Sequence, residues 1–132
     1  MRPKPTVAAL IERNGALLLQ QRAHEPFTGF WSLPGGHVDV DESLAHAVKR
    51  ETQEETNLDV EPTFFGVYDE YIPAIGWHAV VTVFTCAVVA GTVQRSDEST
   101  DIRFVPFSDI ISLPIAFKNA EIIQDYLSRR QH

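Results

Sequence analysis

Residues 35–58 read Gly35-Gly36-His37-Val38-Asp39-Val40-Asp41-Glu42-Ser43-Leu44-Ala45-His46-Ala47-Val48-Lys49-Arg50-Glu51-Thr52-Gln53-Glu54-Glu55-Thr56-Asn57-Leu58, and this stretch decides how the rest of the chain is read. Asp41 through Thr56 contains no Gly or Pro and has helical composition, with Asp41 or Ser43 as the expected N-cap. Asn57 falls where the helix should end, and Asn tolerates the left-handed conformation that ends helices. At about 100° per residue with Glu51 set to zero, Glu54 lies at about 300° and Glu55 at about 40°. The three carboxylates therefore share one stripe. Lys49, Gln53 and His46 fall on the solvent side, and Ala45, Val48 and Thr52 form a face suited to packing on a sheet.

Three like charges on one stripe repel. At ~6 Å and an effective dielectric near 20 each pair costs roughly 3 kcal/mol, less where water reaches it. Carboxylate oxygens clustered in this way suit hard divalent cations, Mg²⁺ above all. Arg50, beside Glu51, can hold one carboxylate in a fixed rotamer through a bidentate pair. The Gly35-Gly36 turn has little side-chain bulk, so its carbonyls can approach a metal and its amides a phosphate. The plain alternative is a solvated acidic helix face, the commoner fate of a charge run.

Upstream, Thr6–Glu12 and Ala16–Arg22 read as two strands around Asn14-Gly15, a strong hairpin signal. A loop over Ala23–Phe30 leads into a short apolar strand, Trp31–Leu33, and the Pro34-Gly35-Gly36 turn. Downstream, Leu58–Ile72 reads as extended chain bent at Gly66. Ala79–Ala90, rich in Val, Thr and Phe, reads as a central strand buried on both sides. Ile102–Val105 is a short strand. Asn119–Arg130 is an amphipathic closing helix with Ile122, Ile123, Tyr126 and Leu127 on one face and basic residues in its last turn. The sum is a layered α/β fold of the α+β type, a mixed β-sheet sandwiched between helices, in one domain over residues 1–132.

Composition bounds the function. The 132 residues carry 18 acidic and 11 basic side chains, a net charge of −7, which argues against a duplex-binding domain. No apolar run approaches the ~20 residues that span a bilayer, so no membrane partner is expected. The start of the chain lacks the long apolar region of a secretory signal. A single cysteine, Cys86, excludes an internal disulfide and a cysteine-built metal site, and a cytoplasmic location is expected.

Gly36, five residues, Glu42, seven residues, Arg50-Glu51, then Glu54-Glu55 and Leu58 resemble the Nudix box, a 23-residue motif with Gly, Glu, Arg-Glu and Glu-Glu at fixed spacing. Trp31-Ser32-Leu33-Pro34-Gly35 also resembles the strand and turn that enter the box, and the broader likeness to the MutT-like family runs from about Thr6 to Phe107. Two positions depart from the pattern. Thr52 stands where a larger aliphatic residue is usual, which bears on helix seating. Asn57 replaces the terminal Gly. Neither removes a ligand.

The resemblance implies a hydrolase that cleaves the pyrophosphate bond of a nucleoside diphosphate linked to a group X, with one or more Mg²⁺ ions (or Mn²⁺) on the pyrophosphate oxygens. It implies Glu51 and Glu55 as metal ligands, Glu54 as ligand or water-orienting base, and Arg50 as the residue orienting Glu51. It further implies a carbonyl ligand from Gly36, with Gly35 beside it. Glu42 is an outer member of the metal network or a helix-start carboxylate. The base of this family often lies outside the box. Glu98, in the Ser96-Asp97-Glu98-Ser99 loop, is the candidate for a further ligand or base, with Asp101 and Asp97 as alternatives. Arg22 and Trp31, with Gly35 and Gly36, are candidates for substrate contacts. Among Phe27, Phe30, Trp31, Tyr68 and Trp77, one or two are expected to line a base pocket. The box reports the reaction rather than the substrate. Pro73, fifteen residues after Leu58, is a feature of relatives preferring ADP-ribose-like sugar nucleotides, while the compact length resembles relatives acting on nucleoside triphosphates, oxidised guanine nucleotides included. The readings from other classes are a catalytically silent Nudix-fold nucleotide sensor and a scaffold domain with an incidental acidic helix. Many relatives dimerise, so a homodimer is compatible with the sequence.

Overall fold

The computed structural model describes residues 2–130; of the span 1–132, Met1, Gln131 and His132 lie outside the described residues. The chain begins with β1 (Lys4–Leu10), β2 (Glu12–Arg13) and β3 (Ala16–Arg22). Asn14 and Gly15 both take positive φ, 50° and 77°, as the Asn-Gly signal requires of a tight hairpin, but the hairpin is shorter than expected: only β2 pairs with β3, while β1 pairs with other strands in a separate sheet. Two short strands follow, β4 (Trp31–Ser32) and β5 (Gly35–His37), and then helix α1 (Leu44–Thr56). The long strands β6 (Asp59–Ile72) and β7 (Trp77–Ala90) are joined by a single 3₁₀ turn over Pro73–Ile75. Strand β8 (Ser99–Pro106), the short α2 (Phe107–Ile110) and α3 (Asn119–Arg130) complete the chain.

The strands form two sheets. The first has the order β5-β1-β7-β6, with β1 and β7 parallel and the other pairs antiparallel. The second is built around β3, which pairs with β8 along one edge and with β2 and β4 along the other. The mixed character and the helices on both sides match the expected α+β class. The division into two sheets is set by long-range pairing, which local pattern does not carry.

Burial explains the layering. Strand β1 alternates with period two: Ala8 and Leu10 face a core shared with Leu17, Leu19, Val81, Val83, Ile122 and Ile123, while Val7 and Ala9 face a second core with Ala47, Val48, Leu58 and Val60. Helix α1 thus covers one face of the first sheet and α3 the other. Strand β7 lies between β1 and β6, as expected of a central strand, but only Val81–Phe84 is continuously buried; Val89 at its far end is exposed. The bend near Gly66 is a bulge in the β6–β7 register.

Helix α1 starts later than the composition suggests. Ser43 is the N-cap, its side chain accepting from the His46 amide at 3.1 Å, while Asp41 takes a φ of 63° in the preceding turn. Asn57 caps the C-terminus in the left-handed conformation, as its position implies. The packing face holds Ala47, Val48, Thr52, Glu55 and Thr56; Ala45 is exposed in the first turn, contrary to the angular assignment. The acidic stripe and the core face also overlap. Glu55 lies between Val48 and Glu51 around the helix and is buried with the apolar residues.

Candidate active site

A cleft of about 720 Å³ opens between the two sheets, lined at one end by Gly35, Gly36, Glu51, Glu54, Glu55, Glu98, Gln20 and Arg22. The chain builds this end from four directions. Strand β5 lies against β1 through Gly36↔Val7 and Gly35↔Ala8. A Cβ on Gly35 would strike the Val7 carbonyl, so only glycine allows this approach. A Cβ on Gly36 would lie 2.5–2.6 Å from the carboxylate atoms of Glu51, so the bare Cα is the surface against which that carboxylate rests.

Glu55 is the most enclosed of the acids. Gln20 Nε2 donates to its Oε1, and the Gly35 amide donates to the same oxygen at 3.3 Å. Burial, reinforced by the neighbouring Glu51 carboxyl, pushes Glu55 well above the usual carboxylate range. Glu54 points to the open side, with its side chain 55% exposed. Glu98 sits on the exposed loop before β8; its carbonyl accepts from the Ala23 amide at 3.2 Å, which anchors that loop beside β3.

Arg50 makes the bidentate carboxylate pair that the sequence allows. Its bidentate partner is Glu42, with Nε–Oε2 at 2.7 Å and Nη2–Oε1 at 2.9 Å; Glu51 receives one bond from Nη1 at 3.1 Å. Glu42 also accepts from the Asp39 amide at 2.9 Å and contacts the His46 ring at 2.7 Å. These donors, Arg50 first, hold Glu42 at about 2. The pair lies behind the cleft wall and fastens the loop before α1 to the helix; from there Arg50 touches Glu51 and, at 3.4 Å, Glu54. Arg50 is thus anchored on Glu42 while touching two of the candidate ligands.

The candidate substrate contacts divide. Arg22 lines the cleft, its Nε bonded to the Pro26 carbonyl at 2.8 Å and its guanidinium 4.9 Å from the Phe117 ring centre. Trp31 does not line the cleft: it is 8% exposed and packed in the core, with Arg103 over its ring at 5.5 Å. Of the aromatics considered for base stacking, Trp77 lines the cleft and Phe27, Phe30 and Tyr68 do not. Asp97 lines the cleft beside Glu98, whereas Asp101 is paired with Arg103. Pro73 opens the hairpin tip and stands outside the cleft lining.

The structure adds residues that the sequence reading passed over: Gln20, Glu70, Phe117 and Asn119. Gln20 had one available signal, a polar side chain directly after the buried run Ala16–Leu19. Its Oε1 is buried without a partner among the described residues, and its Nε2 is spent on Glu55. A buried acceptor without a donor is costly unless the site supplies one.

These features test whether a divalent ion fits. The candidate ligands are all oxygen, the bare Gly36 Cα lets the Glu51 carboxylate lie in the cleft, and the buried Gln20 Oε1 has no partner among the described residues. Among the described residues no three acidic or imidazole side chains already converge on one point. The fit therefore rests on donor chemistry and on carboxylates that can turn: Glu51, Glu54, Glu55 and Glu98, with the Gly36 carbonyl, are the groups that could hold the ion.

A carboxylate-bearing helix packed against a glycine strand at the mouth of a two-sheet cleft has the oxygen-donor chemistry of a site for a hard divalent ion. The chain matches the NUDIX domain over residues 2–126. It is 33% identical over 129 residues to the ADP-ribose pyrophosphatase of Methanocaldococcus jannaschii, covering 96% of this chain and 75% of that one. The MutT NUDIX hydrolase of Burkholderia pseudomallei has a similar structure, with a TM-score of 0.86 and 30% identity over 94% of this chain and 98% of that one. The NUDIX domain of Shewanella oneidensis NrtR, solved with ADP ribose, has a TM-score of 0.84 and 26% identity over 98% and 89%. The chain belongs to the NUDIX family and is a hydrolase of its pyrophosphatase class.

Proposed function

We propose that this protein hydrolyses the pyrophosphate bond of a nucleoside diphosphate joined to a second group, foremost a nucleotide sugar of the ADP-ribose type, with Mg²⁺ or Mn²⁺ bound between Glu51, Glu55 and Gly36. The observation that carries this is the seating of the Glu51 carboxylate on the Gly36 Cα inside the cleft, beside the buried Glu55. The ion supplies charge neutralisation on the pyrophosphate oxygens. Glu55 and Glu51 would hold it, with Glu54 as a further ligand from the exposed side. Glu98, on its exposed loop, takes the proton of the attacking water. Arg22 meets the phosphate farther from the helix. Arg50 and Glu42 keep Glu51 in place.

The likeness to the M. jannaschii pyrophosphatase supports the ADP-ribose preference, and the likeness to NrtR shows that the same fold accommodates ADP ribose. The compact length of the chain supports nucleoside triphosphates as the second choice. Retention of Glu51, Glu54 and Glu55 argues against a silent nucleotide sensor. A cytoplasmic setting and small nucleotides as partners fit the charge of −7 and the absence, among the described residues, of a helix able to cross a membrane. The test is a screen of ADP-ribose, sugar nucleotides, dinucleoside polyphosphates and triphosphates, with and without Mg²⁺. The expected result is ion-dependent release of a nucleoside monophosphate, fastest from ADP-ribose. No turnover of any of them under either condition, with tight ADP-ribose binding, would make the protein a sensor.

A further inference from the structure

The far end of the same cleft has a chemistry of its own. Glu70, on β6, is 4% exposed and lines the cleft, and with Glu55 it is one of two buried carboxylates among the described residues. No lysine or arginine pairs with it among the described residues. Instead Trp77 Nε1–H donates to Oε1 at 2.8 Å and the Lys118 amide donates to Oε2 at 3.2 Å. A carboxylate accepts about four hydrogen bonds, so each oxygen keeps unused capacity. Burial raises Glu70 above the usual carboxylate range, despite both donors. A buried carboxylate with no paired cation is expensive to keep.

Aromatic rings stand beside it, with the His37 ring edge-on to Trp77 at 6.2 Å. Trp77 lies 4.9 Å from Phe117 at a 40° tilt, and Phe117 in turn carries Arg22 over its face. The indole is fixed in place by its bond to Glu70. The two ends of the cleft are set apart by the order β5-β1-β7-β6, three strand spacings or about 14 Å across. Gly36 stands on the first of these strands and Glu70 on the last. A ligand reaching from the Glu51–Glu55 end to Glu70 carries anionic oxygens at one end and a flat, hydrogen-bond-donating ring at the other.

We infer that Glu70 reads the exocyclic amino group of the nucleobase, with Trp77 and Phe117 as the walls, so that the cleft selects nucleotides of amino-bearing bases over their deaminated counterparts. This rests on the nucleotide hydrolase reading and names its base specificity. An amino group donates to the free capacity of Glu70. A ring carbonyl in its place sets lone pair against lone pair, and the N–H that deamination creates stands one ring position away, so the base must shift to meet the carboxylate, the kind of mismatch by which polar pockets reject analogues.

The test compares ADP-ribose with inosine diphosphate ribose, which differ at C6, amine against carbonyl, and at the adjacent N1, bare acceptor against N–H. Wild type should favour ADP-ribose by about tenfold or more in kcat/KM, carried by KM. Glu70→Gln, whose amide N–H can meet a carbonyl, should bring the ratio close to one while Mg²⁺-dependent turnover persists; thermal melts check its fold. Metal-free titration of AMP and IMP, followed by tryptophan fluorescence, gives a second readout on wild type, with AMP binding more tightly. Equal KM values for the two substrates, or a ratio unchanged in a folded Glu70→Gln, would overturn the assignment and leave Glu70 as a staple for Trp77. Absence of all Mg²⁺-dependent turnover would instead remove the hydrolytic reading, and the AMP–IMP comparison would still decide the role of Glu70.

Discussion

The Cα of Gly36 is the surface on which the Glu51 carboxylate rests: a methyl group there would stand 2.5–2.6 Å from the carboxyl atoms. At the neighbouring Gly35 the obstacle is different, the backbone carbonyl of Val7. The two glycines therefore separate function from fold. Gly36→Ala displaces the end of a flexible side chain, so stability should fall by about 1 kcal/mol or less while the Mg²⁺ requirement for activity rises at least tenfold. Gly35→Ala forces β5 off β1 and should cost roughly 3 kcal/mol. Urea melts and Mg²⁺ titrations of activity on both variants check the contrast.

Glu55→Gln should lower the hydrolysis rate by orders of magnitude with the fold intact. It removes a carboxylate that burial and Glu51 both disfavour. The metal-free variant should therefore be as stable as wild type or more so, by about 1 kcal/mol, as is common when a strained functional group is removed. Thermal melts in chelator measure this. A marked destabilisation would mean that the Gln20–Glu55–Gly35 bonds serve the fold first.

Glu42 should govern acid stability. Its folded value of about 2 lies below its ordinary 4.5, held there by Arg50 first and by the Asp39 amide. A depressed carboxylate adds stability that is fully present above pH 4.5 and is lost as pH falls toward 2. Glu42→Gln should remove that part of the acid limb, so its unfolding free energy should change less than that of wild type between pH 5 and pH 2. Chemical denaturation across this window decides it, and parallel curves would show that the Arg50 bonds contribute nothing to folding.

Much of the site was legible because it is local. The stripe of Glu51, Glu54 and Glu55 follows from helix geometry alone, and the Asn14-Gly15 hairpin and the Asn57 cap follow from backbone chemistry at single residues. What escaped depends on distant segments. The loop that carries Glu42 onto Arg50 turns at Asp41 with positive φ, and no spacing rule shows that Arg50 will then prefer Glu42 to its neighbour Glu51. Trp31 looks like a stacking residue beside a glycine turn, yet its amide bonds to Pro114 and its ring is taken into the core. Glu70 is one carboxylate in an otherwise ordinary strand. Only the fold of the β6–β7 hairpin against the turn before α3 brings Trp77 and the Lys118 amide to it.

The central claim is that the acids facing Gly36 hold a divalent ion for hydrolysis. It is tested most directly by titrating Mn²⁺ into the protein, with free ion read by electron paramagnetic resonance, for wild type, Glu51→Gln and Glu55→Gln. Wild type should bind the ion, and each variant should bind it at least tenfold more weakly while keeping its melting transition. Equal Mn²⁺ affinity in all three proteins would contradict the account.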